Sequence, residues 1–306
     1  MNWLLLLEQT LNGLQLGTLL FLLAAGLTLI FGIMDMVNLA HGSLYMMGAF
    51  FCATFTRLTG NFFLGALLAL PATVLLGIVV EVITLRHLYD RNHLDQVLAT
   101  FGLILFFNEG VRIVWGSAGL DIPLPALLNT HVEFLGIPYP TYRMMILAIG
   151  VVVAVGLYLL VARTRVGMLI RAGAANREMV GALGVDIRLL YTLVFGLGAG
   201  LAGLGGMLVA PLSTAEIGMG EQILILSFVV IVIGGIGSIR GSLVAALLVG
   251  LIDTLGRAFL PELLDRFFSG AVASTAAPSL SSMMIYVIMA VVLAVRPQGL
   301  FPANTG

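Results

Sequence analysis

Seven stretches of the chain carry no charged side chain: residues 9–34, 36–56, 58–80, 144–162, 189–215, 222–239 and 267–295. A bilayer core of about 30 Å takes roughly 20 helical residues at 1.5 Å each. Lipid offers the backbone no hydrogen bonds, so apolar runs of this length there must be helices. Two further stretches, 94–115 and 241–260, are apolar but hold an ionisable residue or two. The expected fold class is an all-α polytopic membrane protein of about eight or nine segments, some of them half-spans. One transmembrane domain over residues 1–306 accounts for the whole pattern.

Composition excludes the alternatives. Hydrophobic residues make up 60% of the chain and charged residues 9%, with a mean hydropathy of +1.12. Soluble domains carry roughly 25% charged residues. An ordinary cytosolic enzyme, a disordered chain and a basic nucleic-acid-binding face are all ruled out. The net charge of -1 implies no polyanionic partner. All 14 basic residues are arginine. Without lysine there is no Walker A lysine, no Schiff base and no SxxK chemistry, so ATP is not bound through a P-loop of this chain. Cys52 is the single cysteine, which excludes an internal disulfide. Met1-Asn2-Trp3 and the four leucines after it lack a basic n-region, so no cleaved signal peptide is expected. HExxH, GxSxG and metal-ligand spacings are missing, which argues against a membrane enzyme.

Arginine placement orients the segments. Arg163, Arg165, Arg171, Arg177 and Arg188 crowd 163–188, and Arg86 and Arg91 sit together. Residues 116–142 hold no arginine but do hold Asp121 and Glu133. The expectation is a cytoplasmic 86–95 and 164–188, an external 116–142, Arg296 inside, and an external N-terminus with an odd number of spans. Arg57, Arg143 and Arg266 fall on the external side against the trend. In the external loop, Pro123, Pro125, Pro138 and Pro140 forbid a long helix. The partly alternating 131–136 predicts a short strand or hairpin, either capping helix ends or docking an external partner.

Two apolar stretches are interrupted. The first runs from Gly32 to Leu44 and contains Asp35, Asn38, His41, Gly42 and Ser43. The second contains Gly234, Gly235, Gly237, Ser238, Arg240, Gly241 and Ser242. Glycine clusters hold a helix poorly, and freed backbone groups must face protein or water. His41-Gly42-Ser43-Leu44 echoes Arg240-Gly241-Ser242-Leu243, and both open segments of the same direction, as a parallel repeat would. Paired interrupted segments point to a translocation path. Its candidates are Asn38, His41, Gly42, Ser43, Gly234, Gly235, Gly237, Ser238 and Arg240. His41 reads as a helix-capping group bonded to carbonyls, with a proton relay as the alternative. Expected pairs are Asp253–Arg257, Glu109–Arg112, Glu81 with a neighbouring arginine, and Asp35 with Arg240 across the break. Too few carboxylates are present for a proton pump. The glycines of 196–206 read as general helix packing.

Within 164–188, a short amphipathic helix is expected at 174–183. Met179, Val180 and Leu183 would face one way and Asn176, Arg177 and Glu178 the other, with Gly184 ending it. Such a helix suits a soluble motor that pushes on the inner face; the alternative is an ordinary basic loop.

These features together resemble the permease subunits of branched-chain amino acid ABC importers. Asn38-Leu39-Ala40-His41-Gly42 after Phe31-Gly32-Ile33-Met34 is similar to that family's first signature, and Gly234-Gly235-Ile236-Gly237-Ser238 to its second. The segment from Gly167 to Gly184, with Arg171-Ala172, Ala174 and Ala182-Leu183-Gly184, is similar to its coupling segment, which implies coupling candidates at Arg171, Ala174, Asn176, Arg177, Glu178, Met179, Val180, Gly181 and Gly184. The resemblance implies a bacterial inner-membrane importer with a second related permease, two cytoplasmic ATPases that hold ATP and magnesium, and a periplasmic solute-binding protein. It implies no cofactor on this chain and no nucleic acid. The importer loop of the wider class begins Glu-Ala-Ala; here Gly173-Ala174-Ala175 stands in its place. The same family includes permeases for urea, short amides and aromatic acids, so the solute stays open. A stand-alone secondary transporter or channel, using Asp35, His41 and Asp253, is the competing class.

Overall fold

A computed structural model describes residues 3–266 and 270–302. The described chain is mostly helical. Helix α1 spans Trp3–Met34, α2 His41–Thr59, α3 Phe62–Ile83, α4 His93–Trp115 and α5 Thr141–Arg163. Helices α6 (Arg165–Ala175) and α7 (Arg177–Ala182) are short, and α8 (Ile187–Val209), α9 (Met219–Gly234), α10 (Ile239–Leu264) and α11 (Gly270–Val295) complete the bundle. Seven helices are long and apolar enough to cross a membrane: α1, α3, α4, α5, α8, α10 and the Ser274–Val295 part of α11. Helix α9 is apolar but shorter, and α2 is less apolar. The protein is therefore a multi-pass membrane protein. The two helices that fall short are those flanking the interrupted stretches.

Local chemistry sets the helix boundaries. Gly60 adopts a left-handed φ of 69° and donates its N–H to the Thr56 carbonyl, while the Asn61 side chain accepts from the amides of Phe63 and Leu64. Those two residues turn α2 into α3. Asn92, Thr164, Asn176, Asp186 and Ser238 likewise cap α4, α6, α7, α8 and α10 with side-chain oxygens. The proline-rich loop does form the expected hairpin: β1 (His131–Phe134) pairs antiparallel with β2 (Ile137–Pro140), His131 opposite Pro140 and Phe134 opposite Ile137. Leu135 and Gly136, with φ of 52° and 84°, make its two-residue turn.

Helix α1 is the axis. Every residue from Gly17 to Ile30 is buried. A helix apolar all round has no stripe to leave in solvent and is enclosed on all sides. Helices α10, α8, α5 and α9 pack around it. Glycines allow the approach: a Cβ at Gly17 would lie 2.8 Å from the Ala246 carbonyl oxygen, and one at Gly13 3.0 Å from the Leu251 backbone. Thr28 and Ser242 exchange a buried 2.7 Å hydrogen bond across the α1–α10 seam. Helices α3, α4, α5 and α11 instead expose apolar side chains such as Leu67, Phe106, Val152 and Val287, as lipid-facing helices do.

The predicted ion pairs are mostly present. Arg257 meets Asp253 at 2.9 Å, Arg112 meets Glu109 at 2.7 Å, and Arg86 meets the buried Glu81 at 3.3 Å. The pair expected between Asp35 and Arg240 does not form. Arg240 lies over the Tyr158 ring instead, 5.3 Å from its centroid, and among the described residues Asp35 makes no ion pair. The helix expected at 174–183 is also corrected. Asn176 is extended at φ −157°, ψ 94°, and its side chain accepts the Met179 amide, so a helix ends before it and another starts after it. Val180 is buried, but Met179 and Leu183 are 60% and 77% exposed, not packed beside it. Gly184 closes α7 with φ 88°, as expected.

Candidate functional site

Both interrupted stretches pack against the last third of α1. In the first, α1 stops at Met34 and Asp35 takes a left-handed φ of 49°, uncommon for a residue with a Cβ. Residues 36–38 belong to neither helix nor strand and 39–40 form a turn, and Met36, Asn38, Ala40 and His41 are buried. The chain turns back alongside the helix it has just left. A Cβ at Gly26 would lie 2.9 Å from His41 Nε2 and 2.7 Å from the Gly198 carbonyl oxygen. Gly26 stands eight residues before the end of α1, so the His41 ring lies about 12 Å into the bundle. Helix α2 starts at that depth. Its Gly42 meets Gly220 at the head of α9 backbone to backbone, with the Gly220 oxygen 2.4 Å from where a Cβ would stand.

This re-entrant segment holds the one cluster of unsatisfied polar groups among the described residues. Asn38 and His41 are fully buried, and Asn38 Oδ1 and Nδ2 and both His41 ring nitrogens lack a hydrogen-bond partner. The capping role expected of His41 is therefore not observed: the Leu23 carbonyl is directed at its ring without completing hydrogen-bond geometry. Buried polar groups are ordinarily satisfied. Each one left unpaired costs about 1–3 kcal/mol.

The second interruption is different. Gly234 and Gly241 touch, with the Gly241 carbonyl carbon 2.4 Å from a Cβ placed on Gly234. Gly235 and Gly237 take φ of 107° and 81°, and Ser238 Oγ accepts the Gly241 amide at 3.1 Å. Gly237 packs against Gly32 in the last turn of α1. The C-terminal residues cover the turn: Leu300 and Phe301 donate their amides to the carbonyls of Ile233 and Gly234 at 2.8 and 3.0 Å. All of it stays at the end of the bundle that carries α6 and α7. Along α1 the two contacts, Gly26 and Gly32, are about 9 Å apart. Ser43 is buried beside the first, and Arg240 is exposed beside the second.

Near α6 and α7 a polar knot ties three elements. Glu81 accepts hydrogen bonds from Tyr89 Oη at 2.5 Å, Thr192 Oγ1 at 2.7 Å, and Arg86 Nε and Nη2 at 3.3 Å. Burial pushes the Tyr89 phenol above its ordinary range, and the Glu81 carboxylate adds to that. Tyr89 and Tyr191 stack edge to face at 5.1 Å, and Tyr191 Oη reaches the Ile33 carbonyl at 3.4 Å. The Tyr191 hydroxyl beside Arg177 holds that guanidinium above its usual value. Arg171 bonds the Val161 carbonyl. Sequence reasoning paired Glu81 with an arginine but missed Tyr89, Tyr191 and Thr192. It also missed Gly26 and Gly220 and read Gly198 only as general helix packing, because a glycine's sequence does not say which backbone approaches it.

A glycine-packed helical bundle with a re-entrant polar segment at mid-depth is the architecture of a membrane transport protein. Residues 9–293 match the family described as branched-chain amino acid transport system, permease component. The chain is 30% identical over 265 residues to the high-affinity branched-chain amino acid transport system permease protein BraD of Pseudomonas aeruginosa, covering 82% of this chain and 86% of that one. It is 28% identical over 272 residues to LivH, the corresponding permease protein of Escherichia coli K12, covering 83% and 87%. It is also 28% identical over 220 residues to the autoinducer 2 import system permease protein LsrD of Salmonella paratyphi B, covering 67% and 64%. No solved structure matches. The chain belongs to the branched-chain amino acid permease family, whose members are transport subunits and not enzymes.

Proposed function

We propose that this chain is the membrane subunit of an ATP-driven importer and forms, with a second permease, the path for a small amino acid-like solute. A branched-chain amino acid is the solute its relatives' names favour; the autoinducer 2 relative marks how far substrates diverge at this identity. In this reading nine helices cross or enter the bilayer: α1 to α5 and α8 to α11. The N-terminus and the β1–β2 hairpin face outward, toward a binding protein. Helices α6 and α7 face the cytoplasm of a bacterial cell, bounded by its inner membrane. ATP and magnesium belong to two separate ATPase chains, consistent with a sequence that has no lysine.

The observation that carries this reading is α7. It is a helix with its own N-cap, set apart from α6 by one extended residue, and it holds Met179 and Leu183 out in solvent at the arginine-rich end. Exposed apolar side chains rimmed by charge mark a docking surface. Through Arg177 and Tyr191 this helix adjoins α8 and the end of α1, which supports a role in passing motion to the bundle. The test is the double variant Met179→Asp with Leu183→Asp. ATPase subunits should no longer co-purify with the permease, and uptake in proteoliposomes should fall to background, while membrane insertion stays intact. Unchanged uptake would sink the coupling role. Uptake by the permease alone, driven by an ion gradient, would sink the importer reading.

A further inference from the structure

The unsatisfied groups of the re-entrant segment carry a more specific inference, which rests on the transport role proposed above. We propose that Asn38 and His41 are the contact point for a net-neutral, zwitterionic solute, uncovered when residues 35–41 draw away from α1 and α8.

Three observations converge on it. The polar atoms without partners are not scattered: among the described residues all four belong to two side chains three positions apart. The His41 ring lies beside Gly26 of α1, which also meets Gly198 of α8, and the next residue, Gly42, meets Gly220 of α9; Asn38, whose carbonyl faces the His41 amide, is buried one turn before it. The segment also begins on a strained residue, Asp35 at φ 49°. Strain and unpaired buried polarity both cost stability, and such features cluster at ligand clamps and switch regions. A state in which the segment is displaced satisfies both.

The chemistry of the pair selects the solute class. Asn38 offers an amide donor and a carbonyl acceptor, and neutral His41 offers one donor and one acceptor. Together they present donors to a carboxylate and acceptors to an ammonium without a fixed charge of their own. No charged side chain acts on His41, whose surroundings are Leu23 and the bundle interior. A fixed charge at this depth would be expensive and would hold one end of a zwitterion too tightly to release it. Two neutral, two-way groups match a solute whose charges cancel. Thr28, Ser227 and Ser242, buried hydroxyls of the surrounding helices, are already bonded, and the buried Ser43 hydroxyl, two residues from His41, adds a further neutral polar group to the same segment.

The experiment uses the complete complex, with its ATPases, second permease and binding protein, in proteoliposomes with leucine as the probe. Leucine imported per ATP hydrolysed and the thermal midpoint of the purified complex are measured for Asn38→Leu, His41→Leu and His41→Gln. The two leucine variants should lower leucine per ATP by about tenfold or more, with binding-protein-stimulated hydrolysis near the wild-type rate. They should also raise the thermal midpoint, because apolar groups of similar size replace unpaired buried polar atoms. His41→Gln keeps a donor and an acceptor and should keep most of the import. Two results overturn the proposal. One is an unchanged ratio of import to hydrolysis in both leucine variants. The other is a lowered midpoint with import and hydrolysis falling in proportion, which marks the pair as structural. A wild-type complex that imports no leucine, or imports it without ATPases, overturns the underlying transport reading instead.

Discussion

The two interrupted stretches look alike in sequence, yet they are built for different work. Both follow an apolar helix, both contain glycines, and both reopen with a basic residue followed by Gly-Ser-Leu. The second is finished: its helix is capped by Ser238, its carbonyls are taken by Leu300 and Phe301, and its glycines meet backbone to backbone. The first is unfinished: Ala40 at the head of α2 makes no side-chain cap, Asp35 is strained, and Asn38 and His41 are buried without partners. A likeness in sequence thus becomes a fully bonded turn in one stretch and a segment with unpaired buried groups in the other. The residue at the first position decides much of this. A histidine can be buried neutral, whereas Arg240 must keep its charge near water, where it rests on Tyr158.

Substitutions can break this contrast or sharpen it. The largest effect is expected at Gly42. Gly42→Val drives side-chain atoms into the Gly220 backbone, costs roughly 3 kcal/mol, and should take leucine uptake per assembled complex to background. Gly235→Ala comes next. It forces a Cβ onto φ 107° and to within 2.7 Å of the Phe301 carbonyl oxygen, costing about 1–3 kcal/mol. The yield of folded protein should fall, yet uptake per assembled complex should stay near wild type. Assembled Gly235→Ala complexes that failed to transport would erase the distinction between the two stretches. Ser238→Ala removes the α10 cap, for a loss of about 1 kcal/mol in chemical or thermal unfolding and little change in uptake. Arg240→Gln removes an exposed cation–π contact worth about 0.5–1 kcal/mol, and a thermal scan should barely register it.

Much of the bundle was legible in the sequence, because its cause is local. Five of the seven charge-free runs correspond to helices long and apolar enough to span, α1, α3, α5, α8 and α11, the other two to α2 and α9, and the proline-rich loop corresponds to a hairpin with Leu135-Gly136 at its turn. The i,i+3 and i,i+4 ion pairs could be read from spacing alone. What could not be read is depth and partnership. Nothing in Asn38-Leu39-Ala40-His41 says that the segment runs back into the bundle, since that depends on Gly26, Gly198 and Gly220 in three separate helices. The split at Asn176 was hidden for another reason. Asparagine suits both a helix's polar face and an N-cap, and here its bond to the Met179 amide decides for the cap. The Glu81 knot was half visible: its arginine is near in sequence, but Thr192 is 111 residues away.

The central position of α1 bears on how the protein is made. This helix leaves the ribosome well before α8 and α10, which enclose it and follow more than 150 residues later. In the interval it must be tolerated by lipid or by the insertion machinery. Its surface is suited to that wait: it is apolar on every side, and the Thr18 hydroxyl is bonded within the helix to the Leu14 carbonyl at 2.8 Å. Thr28, by contrast, finds its partner only when Ser242 arrives. Closure of that seam has to wait for α10: a chain stalled before it would hold α1 without its largest neighbour and the Thr28 hydroxyl without the Ser242 partner.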